Sequence, residues 1–197
     1  EFLMEDTNAP EPSRYSAPTV DGRPMRIGND PGITPGPADT FMSYDLPWAN
    51  ASNSPFRLFK RWVHEGGIST PFIASWPGQI EPGTITHEPT QLIDINATCI
   101  DAASAPYPTE YNDNEITPLE GESFLSLLRG GFWSRDKTIF WEHEGNSAAR
   151  NGEWKLVKEF GSDWELYNMS EDRTELHNLA ATESVRVRSM SASYEEW

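Results

Sequence analysis

From residue 68 onward, apolar and polar positions alternate in patterns that change period from segment to segment. "ISTPFIASW" (68–76) reads as a strand ended by Pro77-Gly78. "TQLIDINATCIDAAS" places Leu92, Ile95, Cys99 and Ala103 at helical spacing, which predicts a helix with that stripe inward. Residues 104–118 are a Pro/Asn/Asp loop, and "GESFLSLLRGG" predicts a short helix closed by Gly130 and Gly131. "KTIFWEHE" and "WELYNM" read as strands. Between them "AARNGEWKLVKEF" sets Asn151-Gly152 between strand-like arms, the signature of a tight hairpin. Val187, Met190, Tyr194 and Trp197 fall on one stripe of a final helix over 184–197. Strands joined by such short turns form an antiparallel meander with helices on one face. The 71–76 segment or another would complete it to a four-stranded sheet, with Trp141, Leu156 and Leu166 in its core.

The N-terminal quarter has a different texture. Residues 9–56 hold nine of the sixteen prolines, which excludes long helices and central strands. Phe41, Tyr44 and Trp48 make the segment too aromatic for a plain linker, so it reads as a long ordered loop with a short helix near 38–46. The fold class expected is α/β. The expected division is residues 1–118, part of a larger α/β domain, and residues 119–197, a smaller subdomain of antiparallel sheet and terminal helix. Phe2-Leu3-Met4 reads as the end of a strand, and the chain stops on an apolar stripe residue, so a piece of a larger protein is expected.

Composition removes whole classes of partner. A formal charge of −16 repels phosphate backbones and argues against nucleic acid. No apolar run reaches membrane-spanning length. The single cysteine, Cys99, allows neither an internal disulfide nor a cysteine-rich metal site. Eight tryptophans argue against a disordered chain.

Three places could carry chemistry. Lys60 stands between Phe59 and Trp62 and precedes His64-Glu65-Gly66-Gly67. A lysine held by aromatic neighbours beside a double-glycine bend suits a tetrahedral anion; the plainer reading is a solvated surface lysine. His-Glu-Gly occurs at 64–66 and again at 143–145, but neither copy has the helical spacing that puts two imidazoles on one metal. Hydrogen-bonded structural histidines are the simpler reading. Glu5, Asp6 and Asn8 at the end of the first strand offer oxygen ligands for a hard cation, or merely an acidic surface loop.

Several of these stretches together resemble the sulfatase family, its arylsulfatase branch in particular. "YDLPWANASNSPFRLFKRWVHEGGISTPFIASWPG" resembles the signature in which a lysine precedes a Glu-Gly-Gly turn and a strand ending in Trp-Pro. "TQLIDINATCIDAA" resembles the family's Asp-Ile-x-Pro-Thr helix, with Ala97 in place of proline. "FWEHEGNSAARNGEWKLV" resembles the family's hairpin region, and "WELYNMSEDRTELHNLA" its tail motif. The match keeps motif order across most of 38–197.

The resemblance implies an alkaline-phosphatase-like α/β fold and hydrolysis of sulfate esters, of a small molecule or a glycan. It implies a formylglycine nucleophile, a calcium ion holding the sulfate oxygens, and a sulfate-binding lysine, whose position here is Lys60. On that reading His64 sits near the pocket rim as a substrate contact or local hydrogen-bond partner, and Tyr44 and Trp48 either stack on a substrate ring or pack under a loop. Asp6 is the best surviving calcium ligand, with Glu5 beside it. An exported, periplasmic or extracellular location follows from the family alone. The nucleophile motif, Cys/Ser-x-Pro/Ala-x-Arg, is absent from these residues, and "TCIDA" around Cys99 does not supply it. The expectation is therefore a C-terminal fragment, inactive without the N-terminal half of the same protein. Two alternatives remain at this point: a non-catalytic acidic module that stacks tryptophans on sugars, and a phosphatase-like relative. The module would show bare tryptophans on a sheet face and no dependence on Lys60.

Overall fold

The computed structural model describes residues 17–42 and 45–197. The Phe2–Met4 strand end, Glu5, Asp6, Asn8 and Tyr44 lie outside the described residues. In chain order the elements are β1 (Arg26–Ile27), β2 (Thr40–Phe41), α1 (Asp45–Asn53), α2 (Glu65–Ile68), α3 (Leu92–Ala102), β3 (Glu110–Tyr111) and β4 (Asn114–Glu115). They continue with α4 (Leu125–Leu128), β5 (Ile139–His143), β6 (Asn146–Asn151), β7 (Trp154–Lys158), β8 (Glu165–Asn168) and α5 (Ser184–Glu196). The proline-rich stretch forms one parallel pair of two-residue strands, β1 with β2. Its helix starts at 45, not 38, because residues 40–41 are drawn into that pair.

Compactness groups the chain as 1–69 with 140–149 and 153–197, and separately 70–139 with 150–152. The first unit is built on the four-stranded sheet, ordered β5-β6-β7-β8. The fourth strand is the leading arm of the hairpin, β6, rather than 71–76. Residues 69–76 are irregular. Apolar content alone does not make a strand; backbone groups need a ladder partner, and none is present for this segment among the described residues.

The register explains both faces of the sheet. β7 and β8 run antiparallel with Lys155 opposite Tyr167, Leu156 opposite Leu166 and Val157 opposite Glu165. Side chains alternate faces along a strand, so Leu156 and Leu166 share one face, and Lys155, Val157, Glu165 and Tyr167 share the other. The first face packs with Ala149 and Met190, and Val187 and Tyr194 of α5 lie against it. The stripe read from the sequence therefore docks as expected. Tyr194 also meets Trp164 edge-on at 5.5 Å between ring centroids. The second face is not bare. Val63 packs there with Ala148, Val157, Tyr167 and Met169, and Ile68 and Trp141 border them. The segment around α2 thus covers the face that the sequence pattern left open.

In the second unit, α3 turns a different face inward from the one its apolar stripe predicts. Asp94, Ala97 and Thr98 are buried, while Leu92 is 82% exposed and Cys99 is exposed. Polar bonding decides this orientation. The Asp94 carboxylate pairs with Arg135 and accepts the Glu122 N–H (2.8 Å) and the Gln91 N–H (2.6 Å). The Thr98 hydroxyl accepts the Phe124 N–H at 3.1 Å. A buried carboxylate is tolerated only with such partners, so once Arg135 arrives, Asp94 sets the inward face.

Candidate functional site

Lys60 lies on a bend, residues 57–64, that crosses the second face of the sheet. It is exposed and lines a groove of about 390 Å³ together with Trp62, Trp141, His143 and Phe140. Lys60 forms no ion pair with any described residue. Phe59 is buried and meets Trp62 edge-on, ring centroids 4.7 Å apart, so the two aromatics on either side of the lysine pack on each other.

The two glycines of Glu65-Gly66-Gly67 are needed for packing within the chain. A Cβ on Gly66 would collide with the carbonyl oxygens of Arg57 and Leu58, and one on Gly67 with the carbonyl oxygen of Trp62. The lysine bend lies directly on α2, closer than any side chain permits. The close backbone approach that the two glycines allow is made to residues 57–62 of the chain itself. The bend itself is strained: Leu58 has φ +65° and Arg61 φ +123°, conformations that cost about 1–3 kcal/mol each outside glycine.

Three sets of polar contacts hold this strained bend. On one side, the Glu165 carboxylate oxygen Oε2 accepts from Arg57 Nη2 (2.6 Å) and from the Tyr167 hydroxyl (2.6 Å). His64 Nε2 stands 3.3 Å from that same oxygen, and His64 is fully buried. The His64 bond, with the Tyr167 hydroxyl and the Arg57 charge, holds the Glu165 carboxyl down at about 2 against the desolvation that opposes it. Burial and the Glu165 carboxylate push the Tyr167 hydroxyl up. On the other side, Lys155 is fully buried with its Nζ 2.8 Å from both Glu65 and Glu175. Glu175 in turn accepts the Glu65 N–H at 2.8 Å. Third, Asn146 Nδ2 donates to the Arg61 carbonyl (3.1 Å) and the His143 carbonyl (2.9 Å), while its Oδ1 accepts the Phe160 N–H (3.1 Å). That tie fastens the lysine bend to the β5–β6 turn. Arg61 adds an ion pair to Glu144 at 3.0 Å.

The residues singled out from sequence therefore fare differently. Lys60 lines the groove. His64 does not; it sits behind the bend against Glu165, so burial speaks against direct contact with a substrate in the groove. Trp48 is 69% exposed on α1 and is not among the groove's lining residues. His143 is exposed and lines the groove. Among the described residues, no three His, Cys, Asp or Glu side chains gather as a metal site, and Glu5 and Asp6 lie outside them. No helix of the described residues is long and apolar enough to cross a membrane. Arg57, Glu165, Lys155 and Glu175 were not singled out from sequence. Their signals were scattered single charges, and only the period-2 placement of Lys155 and Glu165 on one sheet face hints at a shared target.

A four-stranded antiparallel sheet backed by a terminal helix, its other face crossed by a Lys-bearing bend on a Glu-Gly-Gly turn, defines a mixed α/β module of the sulfatase type. Comparison with known proteins agrees. The family profile described as N-sulphoglucosamine sulphohydrolase, C-terminal, matches residues 56–192. This chain belongs to the sulfatase family and carries its C-terminal portion. An uncharacterised sulfatase of Schizosaccharomyces pombe is 34% identical over 152 residues, covering 74% of this chain and 27% of the relative. A sulfatase of Formosa agariphila is 31% identical over 147 residues, covering 66% of this chain and 26% of the relative. The chain thus spans about a quarter of the length of these relatives. Among solved structures, a protein of glycosaminoglycan metabolism from Bacteroides thetaiotaomicron superposes with a TM-score of 0.56 at 24% identity, over 72% of this chain and 31% of that one. Ps i-CgsB, solved in complex with k-i-k-neocarrahexaose, gives a TM-score of 0.51 at 23% identity, over 62% and 27%. Both likenesses concern the fold.

Proposed function

We propose that this chain is the C-terminal part of a sulfatase that hydrolyses sulfate esters, with Lys60 binding the sulfate group. The observation that carries the reading is an unpaired ammonium at the edge of an aromatic-lined groove, on a bend locked from behind by buried ion pairs. An ammonium fixed in place before the reaction stabilises negative charge developing on sulfate oxygens without reorganising as the S–O bond breaks. Trp62 and Trp141 in the groove supply faces on which a sugar or aryl ring stacks. A sulfated small molecule or glycan suits that combination of cation and aromatics. The neighbour solved with k-i-k-neocarrahexaose supports the glycan version by analogy of fold.

The family's calcium ion would supply Lewis-acid stabilisation of the sulfate oxygens when bound, and Asp6 and Glu5 are the residues of this chain that would help to hold it. The described residues do not fit a calcium site on their own. Nor do they fit the formylglycine nucleophile: Cys99 is exposed on α3 and its surroundings lack the modification motif. Both belong with the N-terminal half of a full-length sulfatase. Trp48, exposed on α1 and outside the groove lining, would offer a separate stacking face. The reading as a sugar-stacking module loses its main support, because both faces of the sheet are covered.

The deciding experiment is Lys60→Ala in the full-length sulfatase that carries this chain, assayed on an aryl sulfate. Loss of a charge-stabilising donor lowers kcat/KM by about 10²–10³, with the melting temperature unchanged because Lys60 is exposed and forms no ion pair among the described residues. An unaltered kcat/KM would overturn the assignment.

A further inference from the structure

Residues 57 and 64 flank the Lys60 bend, and both are fastened to one atom. Glu165 Oε2 accepts from Arg57 Nη2 at 2.6 Å and lies 3.3 Å from His64 Nε2. The Tyr167 hydroxyl, 2.6 Å from the same oxygen, fixes the carboxylate from within β8. Between these two anchors the backbone passes through positive φ at Leu58 and Arg61. Such conformations persist only where the surroundings over-determine them. Lys60 itself has no ion pair among the described residues to hold it. Its position is inherited from its bend, whose two ends meet at Glu165 while Asn146 holds the Arg61 carbonyl between them.

We infer that Glu165 is a positioning residue for Lys60: one buried-side carboxylate oxygen on the sheet gathers Arg57 and His64 and so fixes the ammonium between them. Glu165 makes no contact with substrate in this scheme. His64 Nε2 faces the Glu165 carboxylate, and its buried Nδ1 has no hydrogen-bond partner among the described residues. Among the described residues, Glu165 thus supplies the one side-chain hydrogen bond that orients the imidazole. The carboxyl stays ionised through the neutral and mildly acidic range because it is held at about 2. The inference rests on the sulfate-binding role of Lys60, and its test separates the two.

The experiment is a double-mutant cycle in the full-length sulfatase. Lys60→Ala, Glu165→Gln and the double variant are assayed on an aryl sulfate, with amide hydrogen exchange followed over 57–64. Glu165→Gln is expected to lower kcat/KM about tenfold and to speed exchange in 57–64 while β6 and β7 stay protected. The double variant is expected to be no worse than Lys60→Ala alone, because a residue acting only through Lys60 has nothing left to position. Multiplied effects in the double variant, or a Glu165→Gln enzyme with wild-type rate and wild-type exchange, would overturn the inference. Should Glu165→Gln fail to fold, Arg57→Met removes one of the two anchors and is put through the same cycle with the same two readings. A silent Lys60→Ala variant, by contrast, removes the sulfate-binding role itself, whatever the exchange data show.

Discussion

At the scale of single residues, burial of charge separates the site's parts. Lys60 is exposed and forms no ion pair among the described residues, whereas Lys155 is fully buried against two carboxylates. The two lysines have the same chemistry and opposite surroundings. A buried ammonium must be neutralised to be tolerated; an exposed one keeps its charge available for a ligand. Glu165 shows the same logic from the acidic side. Its carboxyl stands at about 2, against 4.5 for the free side chain. A depressed folded-state value stabilises the native state fully above the unfolded value and loses that contribution as pH falls. Here the loss runs from pH 4.5 down through about 2. Thermal melts across that range should fall steeply for the wild type, and Glu165→Gln should flatten that acid limb. Superimposable limbs for the two proteins would show that Arg57, His64 and Tyr167 do not lower the Glu165 carboxyl.

At the scale of elements, α2 matters for what it lacks. It is a four-residue helix, Glu65–Ile68, with glycine at two of its positions. Glycine in a helix is ordinarily unfavourable by about 0.5–1 kcal/mol relative to alanine, so its presence twice needs a reason. The reason is the lysine bend lying directly on it. Gly67→Ala should therefore destabilise the protein, contrary to helix propensity, by about 2 kcal/mol or more through backbone overlap with Trp62. Chemical denaturation measures it, and a neutral or stabilised variant would mean that the bend and α2 are not in van der Waals contact. Gly152 makes the useful contrast. It has φ +56° in the β6–β7 turn and open space around it, so its glycine is required by backbone conformation and not by crowding.

At the scale of the whole molecule, the family supplies what these residues leave out. The chain covers about a quarter of its relatives, and the nucleophile motif does not occur within it. The 197 residues alone, incubated with an aryl sulfate, should give no turnover above background. Measurable turnover that Lys60→Ala abolishes would show that the chemistry is complete here after all. The 70–139 unit taken by itself exposes Ile73, Ile85, Leu92 and Phe132, each above 80%. Large apolar side chains in that number favour self-association, so the assay belongs at low protein concentration.

The sequence by itself determined the local pieces. The hairpin at Asn151-Gly152, the α5 stripe and the meander of strands follow from side-chain period and turn chemistry, which act between near neighbours. The lysine before Glu-Gly-Gly was legible too, because its motif is contiguous. Tertiary structure alone decided which faces are buried and what holds the bend. Asp94 rather than Leu92 points inward on α3 because Arg135 arrives from 41 residues away. Glu165 clamps Arg57 across 108 positions, and Lys155 meets Glu65 across 90. A buried charge is tolerated only beside its counter-charge, and no periodicity in a linear chain reports which distant residue that will be.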